Sequence, residues 1–334
     1  MENDKYSTKV IDEDITNGIE DEYGCIYSAD GKMLLKGSDS VENYIIKSGT
    51  KVICDCAFCK SKTLKSIVIS DSLTSIGHRA FAGCVSLQDV VIPDSVTSIG
   101  AESFRGCKSL QSIVVPNSVT EIYGRPFAFG TEIICHSDRF IVKDDFLIDL
   151  EERRLIQCLK NDKEHVVIPD SIAVIDGCAF SGCTNLQSIV IPDSVTSIAI
   201  YAFERCLSLQ SIVIPNSLTS IGDAPFLNCE SLQSIVIPDS ITKIGNYVFS
   251  GCKSLQSIVI PNSVTSIGWF AFEKCVSLQS IVIPDSVTEI GNMAFAYCES
   301  LQRIVVPKGK RKYFEGILNV EYHHLLNEED FSEL

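Results

Sequence analysis

The stretch LQSIVIPDSVTSI, Leu186 to Ile198, returns in near-copy at Leu87, Leu110, Leu209, Leu232, Leu255 and Leu278. Its leucines step by 23 residues in two runs, Leu64, Leu87, Leu110 and then Leu186, Leu209, Leu232, Leu255, Leu278, Leu301. The consensus is LQSIVIPDSVTSIGxxAFxxCxS, and less regular turns precede each run, at Val41 (VENYIIKSGTKVICDCAF) and Lys163 (KEHVVIPDSIAVIDGCAF). Self-similarity of this kind overrides any domain count drawn from a length of 334 residues, because repeat arrays grow as one continuous body of stacked units.

The turn that begins at Leu255 serves as the pattern. Leu255, Ile258 and Ile260 alternate with Gln256, Ser257 and Val259, which predicts a short strand with one face inward. Pro261, Asn262 and Ser263 stop that strand and turn the chain. A second extended piece points Val264 and Ile267 inward, Gly268 permits a tight turn, and a brief helical or irregular segment plugs Ala271, Phe272 and Cys275 into the core. One such turn buries too little apolar surface to offset the entropy of ordering it, so each must be covered by its neighbours. The expected fold is a β-rich repeat solenoid with 23-residue turns and a cap at each end.

The caps are legible as breaks in the pattern. YGCIYSADGKMLL, Tyr23 to Leu35, predicts a β-hairpin about Asp30 and Gly31, and DDFLIDLEERRLIQC, Asp144 to Cys158, looks like a second copy. Block one decays at YGRPFAFGTEIICHSDRF, where Gly130 replaces the repeated Cys. From Pro307 onward, Phe314, Ile317, Leu318, Leu325 and Leu326 fall at roughly helical spacing. The expected organisation is a flexible N-terminus over 1–20, a hairpin cap over 21–40, repeats over 41–130, an insertion with a second hairpin over 131–162, repeats over 163–307, and a cap helix with a frayed acidic tail over 308–334.

A net charge of -15 repels phosphate backbones and anionic lipid, so nucleic acid is excluded as a natural partner. No run of eighteen apolar residues occurs, so no membrane span is expected, and the opening MENDKYSTKVIDED lacks the apolar core of a secretory signal, which as encoded points to the cytoplasm. Fifteen cysteines are an odd number and most share one repeat position, which favours free thiols over a disulfide framework.

The repeated pattern LxxIxIPxSVxxIGxxAFxxC resembles the BspA-like leucine-rich repeats, also called the Treponema pallidum type, found in bacterial and some protozoan surface proteins. The match is specific: nine of the eleven prolines and ten of the sixteen phenylalanines occupy the places this pattern assigns them. The resemblance covers 41–130 and 163–307. It implies a right-handed leucine-rich-repeat superhelix with one sheet along its inner face, and a binding role without catalysis or cofactor. Studied members are adhesins for host matrix and plasma proteins such as fibronectin and fibrinogen, so the resemblance implies a protein partner of that kind and a place at the cell surface. The alternative from a different class is an intracellular scaffold whose array spaces its two ends; for either the expected state is a monomer.

Chemistry-bearing residues are sparse. The Cys ladder of Cys84, Cys107, Cys183, Cys206, Cys229, Cys252, Cys275 and Cys298 is expected to be a small buried apolar row. Cys54, Cys56 and Cys59 in CDCAFCK invite zinc, but they fall at ordinary repeat places and lack an evident fourth ligand. His78, His136, His165, His323 and His324 form no catalytic or metal-binding spacing, and KGKRK, Lys308 to Lys312, is expected to be a solvated lead into the cap helix. No catalytic, metal or cofactor site is therefore expected.

Two sets of residues remain as candidate partner contacts. Gln187, Gln210, Gln233, Gln256 and Gln279 are expected to line up as an amide ladder beside rows of Ser and Val. Ile200, Tyr201, Tyr247, Trp269, Phe270 and Tyr297 sit where the copies disagree, between the repeat's IG, AF and C or just before the Cys, and exposed aromatics are common anchors at interfaces. The place after the repeat proline runs Asp170, Asp193, Asn216, Asp239, Asn262, Asp285. A full aspartate row at roughly 5 Å would repel by about 1 kcal/mol per neighbouring pair even in a water-like dielectric, and the interleaved Asn relieves that.

Overall fold

The computed structural model describes residues 7–330, so parts of the expected N-terminal and C-terminal tails lie outside the described residues. The chain divides into two units, one running to Glu151 with the addition of Ile156–Lys160, the other formed by Glu152–Leu155 and the chain from Asn161 onward. Each unit is a solenoid of 23-residue turns.

Every turn contributes two short strands, each paired in parallel with the equivalent strand one turn away. In the second unit Ser188–Val190, Ser211–Val213 and Ser234–Val236 pair with Ser opposite Ser, Ile opposite Ile and Val opposite Val. The second strands, Val174–Ile175, Ser197–Ile198 and Ser220–Ile221, do the same. The isoleucine of each first strand points inward and its two neighbours point out, as the alternation predicts. Behind the strands the phenylalanines form a stacked column in each unit. Ring centroids are 5.2 Å apart for Phe81 and Phe104, 5.2 Å for Phe180 and Phe203, and 5.4 Å for Phe249 and Phe272, with nearly parallel planes. The hydroxyl rows are also structural: Thr219 and Thr265 each donate from Oγ1 to the carbonyl of the threonine one turn back.

Two repeat positions differ from expectation in their physical role. The cysteines are buried, but not merely as small apolar groups: the Sγ of Cys107, Cys206, Cys229 and Cys275 donates to the carbonyls of Phe81, Phe180, Phe203 and Phe249 at 3.1–3.2 Å. Burial pushes the Cys206 and Cys252 thiols well above their ordinary range, which keeps these two protonated. Cys229→Ala removes one donor and a sulfur's volume, and is expected to lower stability by about 1–2 kcal/mol in urea denaturation followed by circular dichroism. Gly268 is not at positive φ; here glycine allows close approach, because a Cβ would lie 2.5 Å from the carbonyl carbon of Gly245 in the preceding turn, although other turns hold Ala199 and Tyr123 at the equivalent place. Left-handed backbone occurs instead two and six residues further on, at Phe270 and Lys274, and at the matching Tyr247 and Gly251.

The ends are closed by different means. The N-terminal hairpin pairs Ile26–Tyr27 with Met33–Lys36 across the Asp30–Gly31 turn. It is tied to the first turn by the buried hydroxyls of Tyr27 and Tyr44, 2.6 Å apart, with Tyr44 donating on to Asp21. Upstream, Asp12–Thr16 is a short helix and Ile19–Glu20 a strand, inside the stretch expected to be flexible. At the far end of the first unit, Phe127 has no following turn to pair with. The buried side chain of Gln157 replaces it, accepting from the Phe127 N–H at 3.0 Å and donating to its carbonyl at 2.9 Å. The second hairpin lies where the sequence placed it, with Phe146–Asp149 beside Arg154–Cys158 in one sheet; Phe140–Lys143 adds a further strand, pairing with Phe146–Asp149 across a turn at Asp144 and Asp145 with positive φ. In the second unit the cap is a helix over Arg311–Ile317, a 3-10 turn over Val320–Leu325 and a strand, Leu326–Glu329, that pairs with Arg303–Pro307. The segment expected to fray is thus hydrogen-bonded as far as Glu329.

Candidate functional site

The outward face of the first strands in the second unit is the feature that burial does not explain. The turns from Ser188 to Val282 place a Ser and a Val there, on either side of the buried Ile. Val213, Val236 and Val259 are 71%, 75% and 71% exposed, and Val190 and Val167 are exposed in line with them. In the turn that begins at Leu255 the other apolar positions of the consensus, Leu255, three Ile, Val264, Ala271, Phe272 and Cys275, are buried. The row borders a shallow groove lined by Val236, Val259 and Val282 with the repeat prolines Pro238, Pro261 and Pro284. The strand ladder is loosest beside it, where the Gln256 N–H reaches the Gln233 carbonyl at 3.4 Å against 2.9 Å for Gln210 to Gln187.

One margin of the groove is acidic. Asp170, Asp193, Asp239 and Asp285 follow the prolines and are all exposed, with Asn216 and Asn262 interleaved. The alternation extends to the serine behind: Ser217 and Ser263, after Asn, donate to the carbonyls of Val195 and Ile241, while Ser194 and Ser240, after Asp, have no hydrogen-bond partner at Oγ. Asp285 is met by the chain itself, through Lys310 at 2.9 Å. On the valine side, beyond the serines, runs the Gln row. Gln210, Gln233, Gln256 and Gln279 are exposed and Gln187 half-buried, linked one turn to the next through backbone N–H and carbonyl groups. The valines escaped selection as candidates at the sequence level, because a β-branched residue at an outward strand place is accounted for by strand preference alone. The usable signal was the alternation itself, which puts Val259 on the same side as Ser257.

The aromatic candidates occupy a different row, beyond the second strands. The structure brings together Tyr247 and Phe270, stacked at 5.0 Å, with Trp269 beside them, 60% exposed and lying over Gly291. Tyr297 is also exposed and takes Lys274 over its ring at 5.8 Å. Ile200 and Tyr201 are exposed but stand two turns from Tyr247, with the small Ala224 between. Tyr201, Tyr247, Phe270 and Tyr297 all have positive φ, so these variable places are set by the backbone to aim side chains outward.

The remaining chemistry is structural. All fifteen cysteines are free thiols, and Cys54, Cys56 and Cys59 range from buried to exposed within their turn. Among the described residues no three His, Cys, Asp or Glu side chains are grouped as metal ligands, and no helix is long and apolar enough to cross a membrane. In KGKRK, Arg311 is not free in solvent: it donates to the carbonyls of Leu326 and His323 and so ties the cap together.

The sequence matches the model of the BspA type leucine rich repeat region, in six copies over residues 31–136, 157–239 and 219–322. Three solved structures share the fold. A leucine-rich repeat protein from Eubacterium ventriosum superposes with a TM-score of 0.65 at 21% identity, over 82% of this chain and 92% of that one. The pneumococcal vaccine antigen PcpA gives 0.62 at 18%, over 93% and 94%. A leucine rich cell surface protein from Faecalibacterium prausnitzii gives 0.53 at 24%, over 90% and 97%. No curated protein matches the chain in sequence.

Proposed function

The chain belongs to the BspA-type leucine-rich repeat family, and from that premise we propose that it is a non-catalytic protein-binding module whose contact surface is the outward first-strand face of its second unit. The observation that carries this reading is the exposed valine row. A turn that buries its other apolar positions leaves one at 71–75% exposure, and repeats it in register over successive turns. Contiguous apolar surface rimmed by polar rows is the usual mark of a partner site. Most thiols are buried and the histidines are scattered along the sequence, so the reading invokes no reacting group.

The test is the triple variant Val190→Ser, Val213→Ser, Val236→Ser. Exposed substitutions of this kind should leave circular dichroism and melting nearly unchanged, within about 0.5 kcal/mol each. Immobilised wild-type protein is expected to capture a protein from cell extract, and the variant to retain at most about a tenth of it. Unchanged capture removes this face. Loss with Trp269→Ser and Phe270→Ser in its place would transfer the site to the aromatic row.

A further inference from the structure

We propose that this face takes an extended polypeptide segment in which lysine or arginine alternates with apolar side chains, laid along the stacking direction of the second unit. The inference rests on the protein-binding reading above and adds the chemistry of the partner. The face is a strip with two unlike sides: an exposed valine row, represented by Val190, Val213 and Val236, and, three residues further along each turn, an exposed polar row in which Asp170, Asp193 and Asp239 carry charge and Asn216 and Asn262 interleave. The repeat proline lies between them in each turn, and at Pro238 and Pro261 it lines the groove floor.

An extended chain sends successive side chains to opposite sides. Laid between the rows, it meets valine with one set and the polar row with the other, so alternation in the ligand answers the two sides of the strip. The sign of the charged set follows from the acidic row and from the net charge of -15, both of which favour a cation. The molecule supplies its own example. Lys310, from the C-terminal segment of this chain, reaches Asp285, the last carboxylate of the row, at 2.9 Å. The same acidic position in earlier turns, Asp170, Asp193 and Asp239, is exposed. Exposed single ion pairs contribute little, so the valine row must share the binding, and both rows are needed.

The probe is a fluorescein-labelled peptide of alternating Lys and Val, about ten residues long, which at roughly 3.3 Å per residue spans several turns. Fluorescence anisotropy with the full chain is expected to show saturable binding that weakens at least about tenfold in Asp170→Asn, Asp193→Asn, Asp239→Asn and likewise in the triple valine-to-serine variant. Binding should also weaken as salt is raised to about 0.5 M. The control Glu22→Gln, Glu132→Gln, Asp138→Asn removes the same number of charges from exposed places in the first unit and should leave binding unchanged.

Three outcomes overturn the proposal: no binding at about 1 mM protein, equal binding of the Glu and Val counterpart, or loss with the aspartate variant alone, which would be attraction to net charge. If the valine variant abolishes capture from extract while the Lys and Val peptide fails to bind, the surface stands and this partner chemistry falls. If capture survives the valine variant, the surface reading itself falls.

Discussion

Phe249→Ala is expected to destabilise the second unit by about 3–5 kcal/mol, the cost of emptying a fully packed aromatic site. Phe249 is 1% exposed and stacked between Phe226 at 5.8 Å and Phe272 at 5.4 Å, so alanine leaves a void open to both neighbouring turns. The surrounding groups cannot close it cheaply. The backbone of that turn is held by Phe249 N–H to the Ala271 carbonyl and by the Cys275 thiol on the Phe249 carbonyl, which fixes its distance from the next turn. Because a repeat array is stable only through nearest neighbours, weakening one central turn uncouples those on either side. Urea denaturation of the full chain should show the loss, and Phe249→Leu, which keeps most of the volume, should cost clearly less. A loss under about 1 kcal/mol for the alanine variant would mean that the column is not core.

Much of this fold was legible because the turn repeats: Leu255, Ile258, Val264, Ile267, Phe272 and Cys275 are all buried as their spacing predicts. What escaped was held by groups that leave no periodic trace. Leu326–Glu329, with the sequence LNEE, has no apolar alternation and looks like a tail; it is a strand because Arg303–Pro307 offers a free ladder edge. Gln157 is one polar residue in an irregular stretch, yet its amide stands in for a whole missing turn. The strand Phe140–Lys143, which extends the second hairpin, is hidden because the turn that joins it to Phe146–Asp149 has no glycine: Asp144 and Asp145 themselves take positive φ.

The candidate site divides in the same way. Trp269, Tyr247 and Phe270 could be found because they break the consensus, and disagreement between copies is visible in a sequence. The valine row could not be singled out on those terms, because it never varies in the first strands from Val167 to Val282. Its distinction is exposure, which belongs to the folded turn: Ile258 and Val259 are adjacent and equally apolar, yet one is 4% and the other 71% exposed. The acidic row is legible as a pattern, but its meaning depends on lying beside that valine row, which needs the turn at Pro261.

Gly268→Ala is expected to cost about 1–3 kcal/mol, although alanine is the mildest of substitutions, the position has an ordinary backbone conformation, and another turn holds Ala199 at the equivalent place with its N–H 2.9 Å from the Ile175 carbonyl. An added Cβ would sit 2.5 Å from the Gly245 carbonyl carbon, 2.6 Å from its oxygen and 2.7 Å from the Asn246 nitrogen. All three are backbone atoms of the preceding turn, so no side chain can swing aside; the backbone of this pair of turns must shift. That shift strains the bonds that join them, Gly268 N–H to the Ile244 carbonyl at 2.8 Å and Thr265 N–H to the Thr242 carbonyl at 2.8 Å. Gly251→Lys is the contrast. Gly251 is at φ +76, where side chains are ordinarily disfavoured by about 1–2 kcal/mol. The equivalent place nevertheless holds Lys274, Tyr297 and Arg205 in other turns, and the contacts a Cβ would make are with the side chain and Cα of Asn228. Its cost should stay near 1 kcal/mol. The two variants, compared by thermal melting of the full chain, separate a glycine kept for closeness from one kept for conformation. If Gly251→Lys proves the more damaging, backbone approach is not what sets the spacing of the turns.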